Sequence, residues 1–141
     1  MSAMRFLDTN ILLYAVSTAP EEAAKNRRAI ELLDADDWAL SVQVLQEFYV
    51  QATRANRPDR LEHRQAAALI ESWLRFRVQE ITIAILQSAL VLKDRYQISY
   101  WDAAVIEAAR ACGCTELYSE DLAAGCDYTG VRVVNPFVMT R

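Results

Sequence analysis

The chain has 141 residues, 53% of them hydrophobic and 9% aromatic, and a formal net charge of −4 at pH 7. This length suits one domain, and the apolar content excludes an intrinsically disordered chain. No apolar run approaches the roughly 18 residues of a membrane span, and the first residues do not resemble a signal peptide, so we expect a cytoplasmic protein with no membrane partner. The acidic balance argues against general electrostatic binding of nucleic acid.

The first half of the chain predicts two strands and four helices. In chain order they are a strand at 4–8, a helix from Asn10, a helix at 21–37, a strand at 38–41, and helices at 42–54 and 61–76. The helix at 42–54 follows Ser41, whose hydroxyl can accept a backbone N–H of the first turn. The helix at 61–76 is indicated by apolar side chains that recur at helical spacing.

The second half predicts three strands and two helices. In chain order they are a strand at 80–83, helices at 84–96 and 99–113, and strands at 115–119 and 131–134. Gly113 suits the position just after a helix end. Because strands alternate with helices, we predict an α/β fold, a three-layer α/β/α sandwich with a mainly parallel sheet of about five strands. No composition break divides the chain, so residues 1–141 are expected to form a single domain.

Four acidic residues are expected to meet at one edge of this sheet. Asp8 ends the first strand, and Asp121 follows the fourth. Glu47 lies in the second turn of the helix after the second strand, and Asp102 lies in the first turn of a helix that leads back to the fourth strand. Ligands of open parallel sheets bind beyond the carboxyl ends of the strands. The acids therefore form a candidate catalytic site.

The residue types at this site favour a divalent cation. Glu47 and Asp102 share their helix faces with apolar residues and should therefore point inward. Inward carboxylates repel one another unless a cation or protons compensate them. Carboxylate oxygens favour Mg²⁺, or Mn²⁺, over zinc, and such an ion supports phosphodiester hydrolysis. Thr9, Asn10 and Ser119 could orient the carboxylates.

Each acid also has a purely structural alternative. Asp8 could cap the helix after it, and Asp102 could complete a capping box with Ser99. Glu47 could pair with an arginine, and Asp121 could begin a turn. These alternatives are independent of one another, whereas a metal site explains all four acids together.

Other residues carry weaker signals. The three cysteines lack a C-x-x-C spacing, and we expect them to be reduced and structural. His63 is expected at the surface, and Trp73, Tyr100 and Trp101 are expected in the core. Four arginines form a local basic cluster that could be a solvated face or could meet a phosphate backbone. They are Arg54, Arg57, Arg60 and Arg64.

Four motifs resemble those of a known family. In chain order they are D-T-N at 8–10, Ser41 with Glu47 six residues later, Y-W-D-A-A at 100–104 and Y-S-E-D-L at 118–122. Together with the closing stretch GVRVVNPF at 130–137, they resemble the PIN-domain ribonucleases, and in particular the VapC toxin group of bacterial toxin–antitoxin systems. The resemblance extends from about Met4 to Phe137.

The resemblance implies a parallel sheet with an acidic pocket that holds Mg²⁺ or Mn²⁺, and an endoribonuclease activity on RNA. It also implies the toxin of a type II system, a homodimer that is inhibited by a cognate antitoxin whose C-terminal segment occupies the pocket. By position, the metal-binding and catalytic residues would be Asp8, Glu47, Asp102 and Asp121, supported by Thr9, Asn10 and Ser119. One departure is Leu122-Ala123-Ala124, where some members have a further acid, and Asp127 is the next candidate.

Alternatives from other functional classes make different demands on the sequence. A PIN-like scaffold could keep its acids and serve only as a non-catalytic protein-binding or RNA-binding module, which metal-dependent RNA cleavage would distinguish. A receiver-type signalling domain would need two adjacent acids after the first strand, whereas Thr9 and Asn10 follow Asp8 here. A phosphatase with a D-x-D motif is excluded because Asn10 stands in place of the second acid.

Overall fold

The structure, a computed structural model, describes residues 5–138, which form five strands and six α-helices. In chain order they are β1 (Arg5–Leu7), α1 (Thr9–Ala15), α2 (Ala23–Leu33), β2 (Trp38–Ser41), α3 (Val42–Ala52), α4 (His63–Trp73), β3 (Arg77–Gln79), α5 (Ile83–Tyr96), α6 (Tyr100–Ala111), β4 (Glu116–Tyr118) and β5 (Arg132–Val134). A single 3-10 turn, Pro20–Glu22, precedes α2. Met4, which the sequence assigned to the first strand, lies outside the described residues. Residues 1–3 and 139–141 of the predicted domain also lie outside them.

All five strands are parallel, in the order β3-β2-β1-β4-β5. The chain moves outward from β1 to β3 and then returns to β4 on the other side of β1. Right-handed crossovers consequently place α1 to α4 on one face of the sheet and α5 and α6 on the other. The predicted α/β/α sandwich with a parallel sheet is confirmed.

The core lies on both faces of the central strands. Phe6, Trp38, Leu40 and Leu117 are completely buried, because parallel strands covered by helices on both sides carry continuous apolar runs. The helix α6 contributes an unbroken buried stretch from Ala103 to Ala109. This packing fixes α6 against the sheet and therefore fixes the position at which its first turn begins.

Local capping sets the starts of the two helices that carry predicted site residues. The Ser41 hydroxyl accepts the N–H of Val44 at 3.2 Å, as predicted, and begins α3. The Ser99 hydroxyl accepts the N–H of Asp102 at 3.1 Å and begins α6. Gly113, with a φ of 77°, follows the end of α6 in the left-handed region that glycine tolerates best, which confirms its predicted role.

The predicted third strand at 80–83 is wrong. The structure places β3 at Arg77–Gln79, and Thr82 instead caps α5 by accepting the N–H of Ile85 at 3.1 Å. The isoleucines that suggested a strand are exposed, Ile81 by 58% and Ile83 by 74%. Since β3 is at the edge of the sheet, its side chains need not be apolar, and composition did not reveal it.

Two helices, α2 and α4, are shorter in the structure than the sequence predicted. Apart from β3, the boundaries of the other helices and strands agree with the prediction within two residues. The prediction at 21–37 extended α2 past Leu33, into a run of aspartates that is unfavourable at a helix C-terminus. The prediction at 61–76 began α4 too early, because Glu62 and Gln65 form a capping box that starts the helix at His63. Across residues 5–138 no helix is long and apolar enough to cross a membrane.

The aromatic predictions hold for Trp73 and fail for Trp101. Trp73 is buried, whereas Tyr100 is half-buried and Trp101 is 62% exposed. The buried stretch of α6 begins only at Ala103, so the first turn, which carries Trp101, precedes the part of the helix that packs on the sheet.

Two weaker predictions are confirmed. His63 is exposed, and its ring lies 2.8 Å from the Tyr49 hydroxyl. Cys112 and Cys114 are buried and Cys126 is half-buried, and all three are free thiols.

Candidate active site

The carboxyl edge of β1 and β4 forms the centre of the candidate site. Asp8 directly follows β1, and Ser119 to Asp121 directly follow β4, its neighbour in the sheet. The chain reverses its direction of travel across the sheet between these two strands, and parallel sheets bind ligands at such a reversal. The helices α3 and α6 begin at the same edge, so Glu47 on α3 and Asp102 in the first turn of α6 lie near it, as the sequence predicted.

Asp8 is a buried carboxylate that also caps α1, so the capping alternative is confirmed beside its position in the site. Its Oδ1 accepts the N–H of Thr9 at 2.7 Å, and its Oδ2 accepts the Ser119 hydroxyl at 2.7 Å. Burial raises its pKa to about 6; the hydrogen bonds from Ser119 and Thr9 act against that rise, and the charges of Asp121 and Glu47 add to it. Only 6% of the residue is exposed.

Asn10 links the segments after β1 and β4. Its Nδ2 lies 3.3 Å from Asp8 Oδ2, 3.3 Å from Ser119 Oγ and 3.2 Å from Asp121 Oδ2. Its Oδ1 accepts the N–H of Glu120 at 3.1 Å. One amide therefore holds two of the predicted acids in a fixed relation.

Ser119 secures the segment that carries Asp121. Its completely buried hydroxyl donates to Asp8 and accepts the N–H groups of Asp121 at 3.1 Å and Leu122 at 3.4 Å. Asp121 lies in a bend, and the hydrogen-bonded turn follows at Ala123–Cys126, so the alternative that Asp121 begins a turn is not confirmed. The residue is exposed, and its charge acts on Asp8.

Glu47 joins the site through Thr9. Its Oε1 accepts the Thr9 hydroxyl at 3.0 Å, and the residue is half-buried. Within residues 5–138 no arginine forms an ion pair with Glu47, so the structure does not support the alternative of a Glu47–arginine pair.

Asp102 approaches the site from the opposite layer. Partial burial raises its pKa, the Ser99 hydroxyl opposes the rise, and the charge of Asp121 adds to it. Asp121 therefore lies close enough to interact with both Asp8 and Asp102. Charge interactions link these acids even where no hydrogen bond joins them.

The donor chemistry of this cluster fits a hard divalent cation. Its potential ligands are carboxylate oxygens and hydroxyls, which Mg²⁺ and Mn²⁺ prefer. None of the ion pairs within residues 5–138 involves any of the four acids. No basic side chain there therefore neutralises the negative charge of Asp8 or opposes the rise of its pKa. In the same residues, no three His, Cys, Asp or Glu side chains form a ready-made metal site. The acids would have to rotate toward a shared ion.

Asp127, the candidate for a further acid, is not part of the cluster. It pairs with Arg132, the first residue of β5, and therefore lies toward the amino edge of the parallel sheet. Its carboxylate accepts the N–H of Gly130 at 2.6 Å and shapes a turn.

Sequence reasoning missed several residues around the acids. A cavity of about 250 Å³ beside Asp121 is also lined by Tyr14, Gln51 and Glu120, together with Arg57 of the predicted basic cluster. Glu120 accepts hydrogen bonds from Lys25 and Tyr14, so its charge is compensated and it differs from the four acids. Its position inside the Y-S-E-D-L motif was the signal that could have identified it.

Several solved structures share this fold. A toxin–antitoxin complex from Klebsiella pneumoniae matches with a TM-score of 0.68 and 22% identity, over 94% of this chain and 97% of that one. VapC20 from Mycobacterium tuberculosis, a sarcin–ricin loop cleaving toxin, matches with a TM-score of 0.63 and 23% identity, over 83% of this chain and 91% of that one. DNA-bound VapBC from Salmonella typhimurium matches with a TM-score of 0.66 and 17% identity, over 94% and 97%.

At these identities the structural matches establish the fold. No match to the sequence is found among curated proteins. The sequence model of the PIN domain matches residues 5–123, a range that contains Asp8, Glu47, Asp102 and Asp121. Because this match covers most of the sequence, the chain belongs to the PIN-domain family.

Proposed function

We propose that this PIN-domain protein is a divalent-metal-dependent endoribonuclease, the toxin of a type II toxin–antitoxin system, which acts on RNA in the cytoplasm. The observation that carries the proposal is the cluster at the carboxyl edge, where four separate segments bring acids together and none of them forms an ion pair with a basic side chain of residues 5–138. The VapC20 relative, a loop-cleaving toxin of the same fold, supports the choice of RNA as substrate.

In this proposal Asp8, Glu47 and Asp102 hold Mg²⁺, or Mn²⁺, and Asp121 orients the attacking water or shares a second ion. When bound, such an ion lowers the pKa of water and neutralises charge on the phosphodiester. The hydrogen bond from Thr9 holds the Glu47 carboxylate against the residue that follows Asp8. Asn10 and Ser119 keep Asp8 and Asp121 in position while the charge distribution changes.

The reaction is hydrolysis of one P–O bond. Water adds to phosphorus, the bond to the leaving ribose oxygen breaks, and that oxygen takes up a proton. None of these steps requires a covalent protein nucleophile or a histidine base, which agrees with the position of His63 on the exposed start of α4.

The partners follow from the same assignment. The Klebsiella and Salmonella relatives are toxin–antitoxin assemblies, so we propose a cognate antitoxin on a separate chain as the inhibitor of the acidic cluster. We propose a homodimer as the form of the toxin that the antitoxin binds.

The test is cleavage of a mixed panel of structured and unstructured RNAs with Mg²⁺, with Mn²⁺ and with EDTA. We expect metal-dependent cleavage by the wild type and a loss of at least about 100-fold in Asp8→Asn, because the substitution removes a charged ligand while preserving its shape. Asp36→Asn, at an exposed aspartate outside the site, is the matched control and should cleave normally.

The alternative is a non-catalytic binding module built on the same scaffold. Its expected signature is a folded protein that binds a divalent ion, or an RNA, and cleaves none of the panel in any metal. Full activity of Asp8→Asn would contradict the proposed roles of the acids even if the wild type is a nuclease.

A further inference from the structure

A second cavity adjoins the acidic cluster between α3 and the start of α6. Its volume is about 270 Å³, and its walls include Gln46, Glu47 and Gln51 from α3, Arg54 just after the end of that helix, and Trp101 from α6. We call it the Trp101 pocket. Glu47 belongs to both the pocket and the acidic cluster, so a ligand in the pocket lies directly beside the proposed reaction centre.

The indole of Trp101 is exposed and yet held in place. Its ring packs edge-on against Tyr100, with the two ring centroids 5.2 Å apart and an interplanar angle of 76°, an arrangement that aromatic pairs prefer. Its backbone carbonyl accepts the Gln43 amide at 3.3 Å, a bond that connects α3 with α6. An exposed, fixed aromatic face next to Asp102 is a surface on which a planar ring can stack.

The remaining walls supply polar groups that are free to bind a ligand. Within residues 5–138 the side-chain amides of Gln46 and Gln51 form no hydrogen bond, and Arg54 forms no ion pair. Amides can pair with the edge of a nucleobase, and an arginine can contact a phosphate.

The neighbouring groove between α3, α4 and β3 has a different character. Its volume is about 710 Å³, and its walls are almost entirely apolar, with Leu45, Ile70 and Leu74 among them. That composition suits an apolar protein segment, whereas the combination of one aromatic face, two free amides and one arginine suits a nucleotide.

We propose that the Trp101 pocket is a nucleobase subsite for single-stranded RNA. Trp101 stacks on a base next to the scissile phosphate, Gln46 and Gln51 bond the edge of that base, and Arg54 contacts the adjoining phosphate. The inference rests on the proposed function, because it takes RNA as the substrate. A base that stacks on Trp101 must be unstacked from its neighbours in the RNA, so the enzyme should prefer loops and single strands to duplexes.

The first arm of the test measures binding without cleavage, in the Asp8→Asn background with Mg²⁺. Among the three tryptophans, Trp38 and Trp73 are buried, so quenching of fluorescence by RNA reports on Trp101. Short single-stranded oligoribonucleotides of A, C or U should quench it, and the matching duplexes should not. The variants lack this reporter, so their binding is measured by the fluorescence anisotropy of a dye-labelled oligoribonucleotide, with the wild-type Trp101 as reference. In that assay Trp101→Ala should weaken binding about 10-fold or more, and Trp101→Phe only a few-fold, since base stacking on an aromatic ring accounts for this range.

The second arm measures cleavage in the wild-type background. Trp101→Ala should raise KM about 10-fold or more and leave the thermal stability unchanged, because the ring is exposed. The matched control is Val91→Ala, an exposed apolar position on α5, which should match the wild type. An RNA with an abasic residue at the stacked position should lose affinity for the wild type and lose none for Trp101→Ala, a coupling that a purely structural role would not produce.

The outcomes separate the subsite from the nuclease. Cleavage by both the wild type and Trp101→Ala with equal KM, together with equal binding, overturns the subsite and leaves the nuclease intact. Quenching and weakened binding without any cleavage keep the subsite as an RNA-binding site and overturn the nuclease. If RNA neither quenches Trp101 nor is cleaved, both proposals fail, and the exposed ring is assigned to a protein partner instead.

Discussion

Asp8 has two opposing effects on the stability of the fold. As the cap of α1 it satisfies the N–H of Thr9, which stabilises the helix start. As a buried carboxylate among other acids it has a pKa raised to about 6 from an ordinary value of 3.8. The folded protein therefore binds this proton more tightly than the unfolded chain does. The stability that the protonated group contributes is fully present below about pH 4 and is lost as the pH rises through about 6.

Asp8→Asn should consequently raise the free energy of unfolding in EDTA at pH 7. A shift of about two pKa units corresponds to roughly 3 kcal/mol, and the amide keeps the bond from Thr9 while it loses the best bond from Ser119, so we expect a net gain of about 1–2 kcal/mol. Urea unfolding at pH 7 and pH 4 measures it, and the gain should shrink at the lower pH. Asp36→Asn, at an exposed position, should be neutral at both. A less stable Asp8→Asn at pH 7 would show that capping and hydrogen bonds outweigh desolvation.

At the scale of elements, capping explains why parts of the fold were predictable. Ser41 and Gly113 act through backbone groups within a few residues, so the sequence was sufficient to assign their roles. The strand β3 was not predictable, because its edge position removes the apolar signature and Ile81 and Ile83 supply a misleading one nearby. The exposure of Trp101 likewise depends on where α6 meets the sheet, which its own sequence does not specify.

The segment after β4 depends on one side chain, and Ser119→Ala tests this. The substitution removes a donor to Asp8 and the acceptor for two backbone N–H groups in a completely buried place. We expect a loss of about 1–3 kcal/mol in the free energy of unfolding, and a fall in RNA cleavage because Asp121 is no longer fixed. Urea unfolding and the cleavage assay measure the two effects.

The control for this prediction is Ser88→Ala, at an exposed position in the middle of α5. It should be neutral or slightly stabilising, since alanine has the higher helix propensity. Equal stability of Ser119→Ala and the wild type would mean that water replaces the lost hydroxyl and that Asp121 is positioned by Asn10 alone.

At the scale of the whole molecule, strand order accounts for the convergence of the acids. Asp8 and Asp121 follow adjacent parallel strands, and Asp102 begins the helix that feeds the second of them. Topology alone therefore predicted the cluster. The bridge that Asn10 makes between the two segments could not be predicted, because it joins residues 111 positions apart through side-chain geometry. Folding brings the like charges together, so their repulsion opposes the fold, and the proposed cation would relieve it.

Mg²⁺ should accordingly stabilise the folded protein. A ligand that binds only the native state at about 100 times its Kd adds about 2.7 kcal/mol, which for a domain of this size raises Tm by roughly 5–10 °C. Differential scanning fluorimetry with Mg²⁺ and with EDTA measures the shift, and the same ionic strength supplied as NaCl controls for screening. Asp36→Asn should respond like the wild type, and Asp8→Asn should respond much less because it lacks a ligand. An equal shift in Asp8→Asn, or one that NaCl reproduces, would place the ion elsewhere on this acidic surface.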